Sequence, residues 1–283
     1  MKNRRYPLIS AIPVILLIPY LVTIIFNGLD TALVNRLPDV ETCLPAVVSL
    51  QIAQDKELEA VKAQAVIART NLYRRILGDE TLYDILREVR QTMDSTYIRR
   101  FFPAQVYFRA VSETKDQVLA WQGELKLVPY HEVSGGVTRD GKEVFHSEEY
   151  AYLKSVDSSM DKKSPDYLGS SYIKAQQMPQ SLVIETRDQA GYVMELSADG
   201  SPLEGEAFRQ GMGLASSNFT VQKVGEQFRF LCKGKGHGLG FSQYGGNELA
   251  KAGSGSREIL ETYFPEMELE DINSIEFFFK KSE

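Results

Sequence analysis

The densest group of residues that could do chemistry is a glycine-rich block near the C-terminus, residues 234–246. Its 13 residues include six glycines together with His237, Ser242, Gln243 and Tyr244. Such glycine use indicates that the backbone approaches another group closely or adopts positive φ repeatedly. The spacing is not that of a dinucleotide fingerprint, and the Gly-Lys-Ser/Thr ending of a P-loop is missing. A structural turn and a ligand-facing loop both remain open for this block.

A second group lies in residues 131–138, which read His-Glu-Val-Ser-Gly-Gly-Val-Thr. This places a histidine three residues before a Ser-Gly-Gly turn, and histidine can serve in nucleophilic or acid–base chemistry. A structural histidine beside a turn is the more common arrangement, and we favour it for His131. A serine triad assembled from Ser134 or Ser242 with a histidine is disfavoured, because no G-x-S-x-G elbow occurs.

The metal-ligating residue types are scattered. His131, His146 and His237 lie far apart, and neither Cys43 nor Cys232 has a ligand neighbour at the usual short spacing. We therefore predict no metal and no cofactor. Two cysteines allow at most one disulfide. A Cys43–Cys232 bridge and an unbridged Cys232 buried on a strand are both consistent with the sequence.

The composition restricts the class of protein. The 283 residues are 43% hydrophobic and 25% charged, which is ordinary for a globular chain and excludes a disordered, collagen-like or multi-span membrane protein. The formal net charge is −6. Nucleic acids favour basic surfaces, so we expect no nucleic-acid partner.

The N-terminal residues predict a membrane anchor. Residues 7–26 contain no charged side chain, and twenty helical residues span the roughly 30 Å of a bilayer core. Lys2, Arg4 and Arg5 precede this stretch, so the positive-inside rule places the N-terminus in the cytoplasm. A cleaved signal peptide is the alternative, but its apolar region is usually shorter. We predict a stub and single-pass anchor in residues 1–27 and an exported domain in residues 28–283.

Helical periodicity recurs along the exported part. Residues 27–42 are expected to form a stalk that leads into a strand or turn near Pro38. Apolar residues at steps of three and four predict an amphipathic helix over 56–77, capped by Asp55, with Arg69 on its polar face. Further helices are predicted over 80–93, 246–252 and 256–263, the last capped by Ser256.

Strand patterns complete the prediction. Residues 106–110 and 117–121 read as strands, with Gly123 in the turn that follows. Residues 182–187 and 192–196 read as one hairpin, and residues 219–224 and 227–232 as another. Residues 157–179 read as a surface excursion. Helices and strands do not alternate regularly, so the fold class is α+β, a single mixed domain.

Three blocks, in this order, resemble the sporulation stage II protein D/LytB amidase-enhancer family. The first comprises residues 44–48 and 58–70, which end in the run Lys-Ala-Gln-Ala-Val-Ile-Ala-Arg-Thr. The second runs from His131 to residue 156. The third includes residues 208–219 and the glycine block, and ends at residues 258–265. The resemblance covers about residues 40–270.

This resemblance implies a bacterial cell-wall protein. Family members in spore formers are membrane-anchored and act during engulfment with a partner amidase and further membrane proteins. Their activity is lytic transglycosylation of peptidoglycan, preferably of glycan strands already stripped of peptides, which leaves 1,6-anhydro ends. The expected architecture is therefore an exported domain with a glycan-binding cleft. The zinc ligands that some relatives carry after the Ala-Arg-Thr run have no counterpart in residues 71–103, which contain neither His nor Cys.

The resemblance also identifies a departure. The family's catalytic glutamate precedes the Lys-Ala-Gln-Ala helix, and Gln51 occupies that position here. A carboxyl group can protonate the glycosidic oxygen and then accept a proton from the attacking hydroxyl, whereas an amide does neither near neutral pH. Glu57 is the first candidate for a substitute acid, ahead of Glu59, whose ordinary role is pairing with Lys62.

Other positions match family-typical cleft residues. They are expected to bind glycan: Gln64, Arg69, His131, Ser134, Gly135, Thr138, His237, Ser242, Gln243 and Tyr244. A salt bridge between this helix and a strand is the structural alternative for Arg69. Three functions stay open: a glycan-binding protein without transglycosylase activity, an active enzyme with a relocated acid, and a non-catalytic scaffold or amidase enhancer that binds membrane partners.

Overall fold

A long alanine-rich helix lies at the centre of the fold. The computed structural model describes residues 39–92 and 104–275, with the side chains of residues 89–92 excepted. The described residues from Val40 onward belong to one compact unit. The helices are α1 (Val40–Gln51), α2 (Leu58–Leu77), α3 (Leu82–Thr92), α4 (Gln105–Glu113), α5 (Gly141–Phe145), α6 (Gly205–Gly211), α7 (Gln243–Lys251) and α8 (Ser256–Tyr263).

The described residues also contain ten short strands. They are β1 (Gln117–Ala120), β2 (Tyr130–His131), β3 (Leu168–Lys174), β4 (Leu182–Arg187), β5 (Val193–Ala198), β6 (Ser201–Glu204), β7 (Phe219–Val224), β8 (Gln227–Lys233), β9 (Phe241–Ser242) and β10 (Glu268–Asp271). β1 pairs with β10 and β2 with β9, while β3-β8-β7 and β4-β5-β6 form three-stranded sheets. Among the strand pairs of the described residues, β2–β9 alone is parallel. The mixture without βαβ alternation confirms the predicted α+β class.

Helix α2 is buried on nearly every side. Its alanines favour the helical state and allow close approach of neighbouring elements. Val61, Ala65 and Leu72 pack with α1 and α4 in one apolar cluster. Val66 and Ile67 pack on the opposite side with residues of β1, β9 and α8. The prediction of a helix was correct, but the polar face that the periodicity indicated is only partly exposed.

Arg69 lies on that supposed polar face, yet its side chain is completely buried. Its guanidinium binds both carboxylate oxygens of Glu41, with N–O distances of 2.6 and 2.9 Å. The remaining N–H groups donate to Thr114 Oγ1 and to the carbonyls of Gln117 and Val111. Arg69 therefore joins α1, α4 and β1 to α2. The structural alternative was right that Arg69 forms a salt bridge, but the bridge joins two helices and not a helix to a strand.

Several local predictions were wrong. Residues 106–110 lie in α4, because Tyr107, Ala110 and Val111 are buried at helical spacing against α2 rather than alternating. Residues 40–42 belong to α1 and not to a stalk. Asp55 does not cap α2; the N-cap is Glu57, whose backbone N–H donates to Asn247 Oδ1.

The later elements follow the predictions more closely. Both predicted hairpins are present as β4–β5 and β7–β8. Helix α7 begins at Gln243, three residues before the predicted start, because Ser242 caps it. The N-cap of α8 is Gly255 rather than Ser256. Residues 157–179 are not a mere surface excursion, since they supply β3 and the buried Asp161.

The predicted anchor, residues 7–26, lies outside the described residues. Among the helices of residues 39–92 and 104–275, none combines the length and apolar character needed to cross a bilayer.

The ion pair between Arg69 and Glu41 should contribute strongly to the stability of the packed helices α1, α2 and α4. Replacing Glu41 with Ala leaves a buried guanidinium without its counter-charge. Loss of one partner of a buried pair costs about 3–5 kcal/mol, and partial exposure of Glu41 reduces this to about 2–3 kcal/mol. Urea unfolding of the full chain measures the change. Glu261→Ala, which removes an exposed partner of Arg257, is the matched control, and an equal loss in both variants would contradict this role for Arg69.

Candidate functional site

An open cleft of about 330 Å³ lies beside the C-terminal end of α1 and the N-terminal end of α7. Three of the predicted site residues line it: Gln51, Gln243 and Tyr244. Gln51 is the last residue of α1, and Gln243 is the first residue of α7. The cleft therefore forms where two helices far apart in sequence meet.

A chain of amide hydrogen bonds holds this meeting point together. Gln243 Nε2 donates to the backbone carbonyl of Gln51 at 2.7 Å and to Gln64 Oε1 at 2.9 Å. Gln64 Nε2 in turn donates to Gln51 Oε1 at 2.9 Å. Gln64 is fully buried and reaches the cleft only through its neighbours. The Nε2 group of Gln51 forms no hydrogen bond within the described residues, so the cleft wall presents an amide donor at this point.

The two glutamates predicted as substitute acids lie elsewhere. Glu57 is exposed and does not line the cleft. Glu59 bonds Lys62 Nζ at 2.7 Å and accepts the backbone N–H of Ser256 at 2.8 Å. Hydrogen bonds from Lys62 and Ser256 outweigh burial and lower the pKa of Glu59 below its usual value. Glu59 thus joins α2 to α8, and its pairing with Lys62 is confirmed.

Two carboxylates that the sequence analysis missed line the cleft, Glu132 and Asp166, together with Lys56. Glu132 Oε2 accepts a hydrogen bond from Lys235 Nζ at 2.5 Å. The signal for Glu132 was present, because side chains alternate along extended chain. His131 is buried there, so the next side chain points away from the core.

For the glycine block, the structure favours the structural turn over the ligand-facing loop. Gly238 and Gly240 both have positive φ. A Cβ at Gly238 would lie 2.4 Å from the Tyr192 ring, and one at Gly240 would lie 2.3 Å from the Pro129 carbonyl oxygen. The close approach is therefore to other parts of this chain. It sets the path of the backbone that leads into β9 and α7.

Ser134 and Ser242 are brought together, but inside the protein. Asp161 Oδ2 accepts from the Ser134 backbone N–H at 2.8 Å, and Asp161 Oδ1 accepts from Ser242 Oγ at 2.9 Å. Ser158 Oγ is a further donor at 3.0 Å. Burial raises the pKa of Asp161 above its usual value, and these hydrogen bonds partly offset the shift. The network is structural, and its central carboxylate was not identified from the sequence.

Gly135 and Thr138 also have partners within the protein. The backbone N–H of Gly135 donates to the hydroxyl of Tyr192 at 2.9 Å. Thr138 is buried, and its Oγ1 accepts the backbone N–H of Val156 at 2.9 Å. Neither residue lines the cleft.

The two histidines of the motifs meet edge to face, with ring centroids 5.8 Å apart. Nδ1 of buried His131 donates to the Leu239 carbonyl at 3.0 Å, so its Nε2 carries a lone pair that has no partner among the described residues. Burial, with a smaller contribution from His237, lowers the pKa of His131 to about 3. His237 Nδ1 accepts the backbone N–H of Leu239. His131 is thus a neutral core histidine, as favoured from the sequence.

Neither cysteine forms the bridge left open by the sequence, since no disulfide joins Cys43 to Cys232 in the described part of the chain. Cys232 is buried on β8. In residues 39–92 and 104–275, no group of three or more His, Cys, Asp or Glu side chains is placed to hold a metal ion.

A mixed α/β domain with an amide-lined cleft is thus the class that fold and site define. Residues 28–121, which include Gln51 and the Ala-Arg-Thr helix, match the family described as stage II sporulation protein. The chain is 26% identical to stage II sporulation protein D of Bacillus amyloliquefaciens over 268 residues, 85% of this chain and 76% of the relative. It is 27% identical to the protein of that name from Bacillus subtilis over 258 residues, 82% of this chain and 74% of the relative.

A third relative is an uncharacterized protein of Brachyspira hyodysenteriae, 23% identical over 262 residues, which cover 87% of this chain and 70% of the relative. The matches confirm the resemblance stated from the sequence motifs. The chain is therefore similar to stage II sporulation protein D over most of its length.

The buried imidazole of His131 should make the fold sensitive to acid. Its pKa is about 3 in the folded state against about 6.5 when unfolded. Because the unfolded state binds the proton more tightly, this histidine contributes its full stability above pH 6.5 and loses it as the pH falls toward 3. The difference in free energy of unfolding between wild type and His131→Gln should therefore shrink steadily between pH 6.5 and 4.5. Urea titrations at several pH values measure it, and a constant difference would contradict the assignment.

Proposed function

We propose that this chain is a cell-wall protein that binds peptide-stripped peptidoglycan glycan in the cleft beside Gln51, without cleaving it. The observation that carries the proposal is the amide of Gln51, which offers a hydrogen-bond donor to the cleft. In the family resemblance that is the position of the catalytic acid. An amide can bind a sugar hydroxyl but cannot transfer the proton that lytic transglycosylation requires.

The surroundings of Gln51 support a binding role. Tyr244 lines the same cleft and supplies an aromatic face on which a sugar ring can pack. The backbone N–H of Tyr244 donates to the Glu132 carbonyl at 3.0 Å, which fixes the start of α7 against residues 130–133. The cleft is open, as binding along an extended glycan strand requires.

The setting of this activity is part of the same proposal. An anchor in residues 7–26 would hold the domain on the outer side of the cell membrane, next to the cell wall. Work during engulfment beside an amidase and other membrane proteins is the context that the family resemblance suggests. A purely scaffolding role for membrane partners is the non-catalytic alternative to glycan binding.

A second candidate function is an active transglycosylase with a relocated acid. The observation that favours it is Glu132, a carboxylate in the same cleft as Gln51. Glu57 and Glu59 are less suitable, because the first does not line the cleft and the second is tied to Lys62 and Ser256.

Restoring a carboxyl at position 51 separates these functions. A glutamate there can still accept the hydrogen bond from Gln64 Nε2, so Gln51→Glu preserves the shape of the cleft. We expect wild type to release no 1,6-anhydro-muramyl products from peptide-stripped glycan, and Gln51→Glu to release them. A positioned acid–base group contributes about 10²–10⁴-fold to rate. Mass spectrometry can detect a difference of this size in the amount of product. Gln222→Glu, at an exposed position on β7 outside the cleft, adds the same charge and is the matched control.

Products from the wild-type protein would instead establish the second candidate, and their loss in Glu132→Gln would identify the acid. Unfolding measurements on each variant ensure that a variant without product is still folded.

Glycan binding has its own test. Tyr244→Ala should weaken retention of the full chain on insoluble peptidoglycan by about tenfold, which corresponds to about 1.4 kcal/mol of lost contact. Tyr172→Ala is the control, because Tyr172 is an exposed tyrosine on β3 outside the cleft. Failure of the wild-type protein to sediment with peptidoglycan would favour the scaffold instead.

A further inference from the structure

A second cavity of about 360 Å³ lies outside the glycan cleft and shares no lining residue with it. Its apolar wall includes Pro129, Val144, Phe145, Met194 and Leu239. Arg139, Glu204, Glu206 and His237 supply polar groups. We call it the acidic cavity, for the charge balance given below. Its size and its few polar groups on an apolar wall are typical of small-ligand sites.

The cation of this cavity is already paired. Arg139 is buried and forms an ion pair with Asp188, which is itself buried. Its other nitrogens donate to the His237 carbonyl at 3.4 Å and to Met194 Sδ at 2.9 Å. Arg139 is therefore neutralised within the protein and is not available to an anionic ligand.

The carboxylates have spare capacity. Arg209 binds Glu206 through Oε1 alone, at 2.7 and 2.8 Å, and Gln210 donates to the same oxygen. Glu206 Oε2 is shielded from solvent and has no hydrogen-bond partner in the described residues. A shielded carboxylate oxygen without a donor is costly, so free energy is gained when the Glu206 side chain turns this oxygen toward a ligand that supplies a donor. Glu204, two residues earlier, is exposed and forms no ion pair within the described part of the chain.

The backbone holds both carboxylates at the wall. A Cβ at Gly205 would lie 1.9 Å from the Val193 carbonyl oxygen, which only a glycine avoids. This close approach presses the start of α6 against β5, whose residues Val193 and Met194 line the cavity. Glu204 and Glu206 flank that contact. Their position thus follows from the packing of the backbone and not from side-chain freedom alone.

We propose that the acidic cavity binds an organic ammonium ion, a ligand with a small apolar body and one protonated amine. The apolar body contacts the Val144 and Leu239 side of the cavity, and the amine donates to Glu206 and Glu204. The charge balance selects this class, because Arg139 is paired with Asp188 and Arg209 offsets only one of the two glutamates. The site is independent of the glycan cleft.

The test uses isothermal titration of the full chain with 2-phenylethylamine and with 2-phenylethanol, which has a similar size and no charge. The amine should bind at least about tenfold more tightly, as a charge-assisted hydrogen bond implies. Glu204→Gln and Glu206→Gln should each weaken amine binding by about tenfold and leave the alcohol unchanged. Glu185→Gln, an exposed glutamate on β4 that does not line the cavity, is the matched control.

A second variant keeps the test independent of charge. Val144→Trp fills the cavity from a partly exposed position and should abolish binding of both probes. Retention on peptidoglycan should stay unchanged in Glu204→Gln, so failure of this proposal is distinct from failure of the glycan proposal. Equal affinity for amine and alcohol, the absence of saturable amine binding, or an equal loss in Glu185→Gln would overturn the assignment.

The probes also distinguish two sources of the amine. Nα-acetyl-lysine amide carries the same ammonium group on a peptide-like body. Tighter binding of this compound than of 2-phenylethylamine would identify a lysine side chain as the ligand, and weaker binding would identify a free small amine.

Discussion

The burial of one guanidinium, that of Arg69, constrains how α1, α2 and α4 pack together. Arg69 has no exposed surface, so each of its N–H groups must find an acceptor within the fold. The acceptors are Glu41 of α1, the Val111 carbonyl of α4, Thr114 just after α4 and the Gln117 carbonyl of β1. The position of α1 on α2 depends on this arrangement. Gln51, at the C-terminal end of α1, consequently lies at the cleft and within hydrogen-bond distance of Gln64.

A second buried charge, the carboxylate of Asp161, joins the segments around β2 and β9. The carboxylate of Asp161 is held by one backbone N–H and two serine hydroxyls instead of an arginine. Those donors come from the loop after β2, from the turn at Ser158 and from β9. Three segments that lie up to 81 residues from Asp161 in the sequence are thereby joined at its side chain. Ser134 and Ser242, the serines of the two sequence motifs, serve this structural purpose.

Local features of the fold could be predicted because local residues specify them. Gly191 and Gly225 occupy the hairpin turns with positive φ, and the flanking alternation supplies the strands. Residues 106–110 were misassigned because a short apolar run fits either period, and only packing against α2 decides between them. The burial of Arg69 and the role of Asp161 depend on partners 28 and 81 residues away, which no local pattern reveals. Of the cleft itself, Gln51, Gln243 and Tyr244 were identified from motifs, whereas Glu132 required the strand alternation that follows from a buried His131.

The amide chain beneath the cleft has a direction. Gln243 donates to Gln64, and Gln64 donates to Gln51, so position 51 only accepts within the chain. A carboxyl group at that position would accept the same bond, and neither Gln64 nor Gln243 would have to reverse its amide. The codons for glutamine and glutamate differ at a single base. One point mutation therefore exchanges a neutral for an ionisable group at the wall of the cleft without any repacking, which makes this position an easily crossed boundary in the evolution of such domains.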